Sequence, residues 1–406
     1  MTQRRDIIFP AALVLLLFAG YVKGSPLLAW IPVDLTALGT ALVLIFSVAS
    51  VFRTRGRLPK GFGWVFILAL AMVLPIRNAG TTEYAETKVH LLIVTGTCLI
   101  GAMLILTSRE MVWWFLRWLA VGGVCVTLIA QYGPHAYLYG RISTAGGGTI
   151  GFGRATGIGL VAVAILLLAR RVPRVVGIVA AALLAYSLMG SGSRGPLVAA
   201  GVAILLFVVS RRSGHRIRDL FLVTGVGVVG VLWSFNQAST FTQDRIMLLF
   251  ASGDQGASID TRKQIFHVAA QQALSHPFGI GWGNLEPLVQ PLSYPHDIVL
   301  EVFAEGGWLP GLLLVGALVA GFRRTLRRGD EPVAVAAAAV LAFFLVNALV
   351  SGDINDNRAL FAALGLALVI PEMLPPAPVR AAPSSGTDRR PLTARSSRDR
   401  SLPVLR

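Results

Sequence analysis

About twelve apolar runs of roughly 15 to 25 residues, divided by short polar punctuation, govern what this chain can become. Their length is what a bilayer core of about 30 Å asks of a helix. Backbone amides cannot go unpaired in lipid, and an Ala/Leu/Val/Gly texture without alternation argues for helices rather than barrel strands. Only 14% of the residues are charged, against about 25% in soluble domains, and the mean hydropathy is +0.69. The fold class expected is all-α, a polytopic membrane helical bundle. Its spans fall near 7–22, 33–52, 61–76, 88–107, 111–133, 155–169, 175–190, 196–210, 219–236, 297–322, 332–351 and 359–374.

Charge sets the expected orientation. With the N-terminus inside, 25 of the 36 Lys and Arg residues fall on the cytoplasmic side, ten fall outside and Arg117 lies within a span. An even span number returns the C-terminus to the cytoplasm, so both termini are expected there in a multi-pass plasma (inner) membrane protein. The net charge of +16 is then a topology signal. Nucleic acid is not an expected partner, because the basic residues occupy short loops rather than one face. MTQRR followed by an apolar run without a small-residue cleavage site reads as a retained helix. Cys98 and Cys125 sit in apolar spans as fillers, with no spacing for a disulfide or a metal. The domain reading is a membrane bundle over 1–374 with a disordered basic tail over 375–406, rich in Pro, Ser and Arg.

Four outer segments compete for function. The loop 77–88, RNAGTTEYAETK, carries Glu83 and Glu86 and reads as solvated. The Gly-rich segment 139–157, YGRISTAGGGTIGFGRATG, joins spans five and six. Its free amides with Arg141 and Arg154 suit an anion, although GKS or GKT is absent. SGSRGP at 191–196 places Arg194 in a tight turn, either as a headgroup anchor or as a ligand. The longest is the outer loop 237–296 between spans nine and ten. There Ser258 or Asp260 is expected to cap a surface helix with a 262/266/269/273 stripe, putting Arg262 on its first turn and turning Lys263 away. HPFGIGWGN follows as a turn-rich passage in which His276 reads as structural. His296 stands at the mouth of span ten, with Glu301 and Glu305 following it.

SGSRGP after an apolar span, an Arg-bearing surface helix leading into HPFGIGWGN, and PHDIVLEVFAEGGWLPG opening the next span together resemble the bacterial O-antigen ligase and polymerase family. The motifs cover about residues 130–322. The resemblance implies a glycosyltransferase C-type helical fold and a polyprenyl (undecaprenyl) pyrophosphate-linked glycan donor used at the outer face of the plasma membrane. It further implies a glycan or lipid-glycan acceptor, and no metal or other cofactor. It also implies Arg194 and Arg262 as ligands of the donor pyrophosphate and His296 as the base. Arg141, Arg154 and Glu305 are further candidates for substrate binding. Where the family commonly has Asn or Ser after this histidine, the chain has Asp297, and an adjacent carboxylate is expected to favour the imidazolium. Asp34, at the outer start of span two, is the reserve base.

The chemistry of those residue types fits. A departing pyrophosphate needs its charge neutralised, which two guanidiniums can do, and an attacking sugar hydroxyl needs a base that works near neutral pH. Direct displacement would invert the anomeric centre. The competing expectation is a twelve-span secondary transporter, which calls for ionisable residues near mid-membrane on broken helices. The spans look almost free of charge by sequence. A polytopic scaffold without catalysis would not need the Arg-Arg-His set.

Overall fold

The computed structural model describes residues 4–132, 141–144, 146–212, 257–290 and 292–374, with isolated positions between 213 and 256. The expected ninth span, most of the outer loop before residue 257 and the tail lie outside the described residues. The regular elements among the described residues are helices, with no β-strand among them. Helices α1 (Arg4–Val22), α2 (Leu35–Arg53), α3 (Phe62–Val73), α4 (Glu83–Ile105), α5 (Arg109–Tyr132), α6 (Gly148–Leu168), α7 (Arg174–Gly190) and α8 (Arg194–Ser210) follow the first eight expected runs. After them come the surface helix α9 (Ala257–Ser275), a four-residue α10 (Ile298–Glu301), α11 (Trp308–Leu326), α12 (Pro332–Ala348) and α13 (Arg358–Met373). Six of these are long and apolar enough to cross a membrane; α3, α7, α8, α12 and α13 are apolar but shorter.

Burial follows composition. Helix α12, PVAVAAAAVLAFFLVNA, is buried along nearly its whole length and packs between α8 and α13. Alanines let neighbouring backbones approach closely, which is how helices associate where lipid supplies no hydrophobic drive. Helix α2 lies at the opposite extreme: Leu44, Ile45, Val48 and Phe52 face outward as an apolar, lipid-suited surface. Loop charges sort by end. Arg109 pairs with Glu331 at 2.8 Å and Arg171 with Glu110 at 3.4 Å at one end. Lys23 pairs with Asp34 and Tyr84 donates to Asp353 at the other. This is the alternation that the span order demands.

Three expectations need correction. The tenth span is broken: α10 gives way to a single π-turn over Val302–Gly306, and the long helix starts only at Trp308. Most of the Gly-rich segment is helix, because α6 begins at Gly148. Its helical glycines are packing positions, Gly153 against Ser191 and Ser193, and Gly157 against Phe343. The loop 77–88 is helical from Glu83 onward, with the Thr82 hydroxyl accepting the Ala85 N–H at 3.2 Å as an N-cap.

Candidate active site

Breaking the tenth span builds the floor of the site. Gly279 and Gly281, both at positive φ, let HPFGIGWGN lie directly on the π-turn. There the Ile280 and Gly281 N–H groups donate to Ala304 and Glu305 carbonyls at 3.0 Å. A Cβ on Gly281 would collide with the Asn78 carbonyl, so both the backbone angle and the space require glycine. Trp282 is fully buried and donates its indole N–H to the Met72 carbonyl at 2.9 Å.

Glu305 locks this turn from below. Its carboxylate accepts the N–H groups of Gly283 (3.0 Å) and Leu285 (3.3 Å) and the ammonium of Lys88 (2.5 Å). Lys88 also reaches Glu301 at 2.6 Å, and all three side chains are fully buried. Glu305 is therefore a support beneath the site, with both carboxylate oxygens engaged, rather than a wall open to substrate. Lys88, counted as an outer loop charge from sequence, is interior because α4 starts a turn earlier than expected. The spans are consequently not free of buried charge. These ionisable groups gather at one end of the bundle rather than at mid-helix.

The polar loop Ser351–Asn357 closes over the same end. Arg154, buried in α6, donates to the carbonyls of Ser351 (2.5 Å) and Asp356 (3.1 Å). Asn355 bridges the Lys88 carbonyl (2.8 Å) and the Thr95 hydroxyl (2.8 Å), and Tyr84 donates to Asp353 at 3.1 Å. Arg154 thus braces a loop instead of lying open in one. Arg141 does similar work on the neighbouring turn, donating to the Ser191 carbonyl (2.7 Å) and the Ser193 hydroxyl (3.1 Å). That turn carries Arg194, half-buried on the first turn of α8.

Helix α9 begins at Ala257, so Arg262 stands in its second turn, not its first, and Ser258 and Asp260 fall inside the helix. The face packed on the site runs through Ile265, Ala269 and Ala273; Phe266, expected there, is about one-third exposed, at 37%. Half-buried Arg262 shares the Ile265 side, and Lys263 is exposed, as expected. His276 is exposed at the end of α9.

His296 adopts a left-handed backbone at φ +61°, a conformation that costs a non-glycine residue about 1–3 kcal/mol. Its ring packs edge-on against Tyr294 with centroids 4.6 Å apart, and its Nδ1 is buried with no hydrogen-bond partner among the described residues. Burial, then the positive charges of Arg262 and Arg154, lower its pKa to about 4. The ring is neutral near pH 7, opposite to the imidazolium expected from its neighbour. Asp297 serves instead as the N-cap of α10, accepting the Leu300 N–H at 2.9 Å. The reserve base is also displaced. Asp34 caps α2 through the Thr36 (2.7 Å) and Ala37 (3.2 Å) N–H groups, and its hydrogen bond with Lys23 holds its pKa below the usual carboxylate range.

Arg154, Arg262 and His296 therefore share one electrostatic neighbourhood, and Arg194 enters from a turn at the same end. Sequence reasoning passed over Tyr84, Lys88, Tyr294 and the 351–357 loop. The available signal was complementary charge: one lysine and two glutamates in otherwise apolar runs must meet somewhere.

No curated protein matches the chain. A solved chain described as "Structural coordination of polymerization and crosslinking by a peptidoglycan synthase complex" is similar at 18% identity over 77% of this chain and 97% of that one, with a TM-score of 0.43. The family model described as O-Antigen ligase matches residues 179–316, a segment that contains Arg194, Arg262 and His296. That match bears out the resemblance of this chain to the O-antigen ligase and polymerase family.

Proposed function

We propose that this chain is a membrane glycosyltransferase that transfers or polymerises undecaprenyl-pyrophosphate-linked glycan at the outer face of the plasma membrane, with both termini cytoplasmic. The observation that carries the reading is His296: a neutral imidazole whose buried Nδ1 has no hydrogen-bond partner among the described residues, in the positive field of Arg262 and Arg154. Arg194 and Arg262 hold the donor diphosphate by charge-assisted hydrogen bonds. The acceptor hydroxyl attacks the anomeric carbon as its bond to the phosphate oxygen breaks. The hydroxyl proton passes to His296, and the pyrophosphate leaves on the arginines without a divalent ion, inverting the centre.

The low pKa of His296 suits an order of events. Donor diphosphate brings negative charge beside Arg262, cancels part of the field that disfavours the imidazolium, and raises the basicity of the ring. The base strengthens once the leaving group is in place. Glu305, Arg141 and Arg154 act as braces that position these groups.

The test is transfer by purified protein given lipid-linked glycan. A new glycosidic bond is expected with wild type and a loss of about 10² to 10⁴-fold with His296→Ala. A protein that forms no bond, or a His296→Ala variant that keeps full rate, overturns the reading. The broken tenth span with its buried Lys88, Glu301 and Glu305 favours one second reading, a secondary carrier. Its signature is glycan crossing sealed vesicles covalently unchanged.

A further inference from the structure

A cavity of about 540 Å³ opens beside α4, lined by Thr82, Glu83, Tyr84, Thr87, Glu286 and Gln290 among others. We propose that it is the acceptor subsite, holding a neutral or amine-bearing sugar of the acceptor behind the one that reacts; this rests on the transferase reading above.

The lining has the chemistry of sugar recognition: an aromatic ring, two carboxylates, hydroxyls and a carboxamide. Charge tells donor from acceptor. Two glutamates repel a diphosphate and accept hydrogen bonds from sugar hydroxyls, whereas the charges felt at His296 are the positive ones of Arg262 and Arg154. Position supplies the second argument. Tyr84 lines the cavity and stacks on Tyr294 with centroids 6.4 Å apart, and Tyr294 in turn contacts the His296 ring. Two aromatic rings thus lie between the cavity and the base, a relay along which a glycan can run from Tyr84 to His296. The cavity is also built rather than incidental. Thr82 donates to Glu286 at 2.6 Å, tying α4 to the 286–290 segment, and Tyr84 is fixed by its bond to Asp353.

The experiment uses the full chain in micelles and glycan released by mild acid from the cells' own lipid-linked pool, observed by saturation-transfer NMR. Wild type is expected to saturate the glycan protons, with no displacement by inorganic pyrophosphate. Thr87→Trp, which fills the cavity from an exposed helix position, is expected to weaken binding at least about tenfold, and Gln290→Ala by about 2- to 10-fold for a lost hydrogen bond. Glycan that binds Thr87→Trp as tightly as wild type, fails to bind wild type, or is displaced by pyrophosphate overturns the assignment. Failure of the transferase reading shows separately, as wild type that makes no glycosidic bond. Failure of the subsite shows as unchanged glycan binding by variants of a chain that does make one.

Discussion

Replacing Lys88 with methionine removes the cation from a site where two glutamates are fully buried with it, at 2.6 Å from Glu301 and 2.5 Å from Glu305. The wild-type trio carries a formal charge of −1, and the variant leaves −2 in the same volume. Breaking a buried ion pair by removing one partner costs about 3–5 kcal/mol. For a chain of this size that corresponds to a fall in melting temperature of roughly 4–6 °C. The second arm is Lys88→Met with Glu301→Gln, which restores the net charge to −1. It leaves Glu305 its two backbone N–H donors from Gly283 and Leu285. With Lys88 replaced, Glu301 keeps, among the described residues, the Ile354 N–H at 3.3 Å on one oxygen and no partner on the other, so little is lost by the amide. Thermal unfolding followed by monodispersity on size exclusion should show a large drop for the single variant and recovery of about half or more for the double. A Lys88→Met protein that melts with wild type, or a double variant less stable than the single, would refute the reasoning.

Three further outcomes follow from the site. His296, with its pKa lowered to about 4, is neutral above that pH, so kcat/KM of the free enzyme should fall only as pH drops through about 4. The limb for kcat should lie higher because bound diphosphate raises the pKa; coincident limbs would contradict the field argument. Gly281→Ala places a Cβ against the Asn78 carbonyl at positive φ and should abolish transfer and lower stability, whereas Gly63→Ala, in open space, should change neither. Asp34→Ala should cost about 0.5–2 kcal/mol of thermal stability, as a lost cap, while transfer continues; loss of transfer would make Asp34 the base after all.

The helices were legible in the sequence because lipid leaves the backbone little alternative: the ends of α1, α2, α5, α7 and α8 lie within a few residues of the expected runs. The misreadings concentrate where glycine or charge carries two meanings. GFGRATG looked like a loop because glycines free the backbone, yet inside α6 the same glycines serve close helix packing. IVLEVFAEGGWLPG looked like one continuous span because its two glutamates are outnumbered by apolar neighbours. The helix breaks at Gly307, at φ +92° just ahead of Pro310, and the two glutamates before the break pair with Lys88, more than two hundred residues away. Arg194, Arg262 and His296 could be picked out from motif order. Which of the nearby charges brace the site and which face substrate could not, because Arg154 and Glu305 differ from the exposed candidates only in what the fold packs around them.

In the proposed reaction the guanidiniums of Arg194 and Arg262 receive the diphosphate leaving group while His296 takes the proton. The most direct measurement of this claim is inhibition of transfer by the product, undecaprenyl pyrophosphate, in wild type, Arg194→Ala, Arg262→Ala and the double variant. Each single change is expected to raise the inhibition constant about 10- to 150-fold, the equivalent of one charge-assisted hydrogen bond, with a further loss in the double. An inhibition constant unchanged in both single variants would contradict the claim.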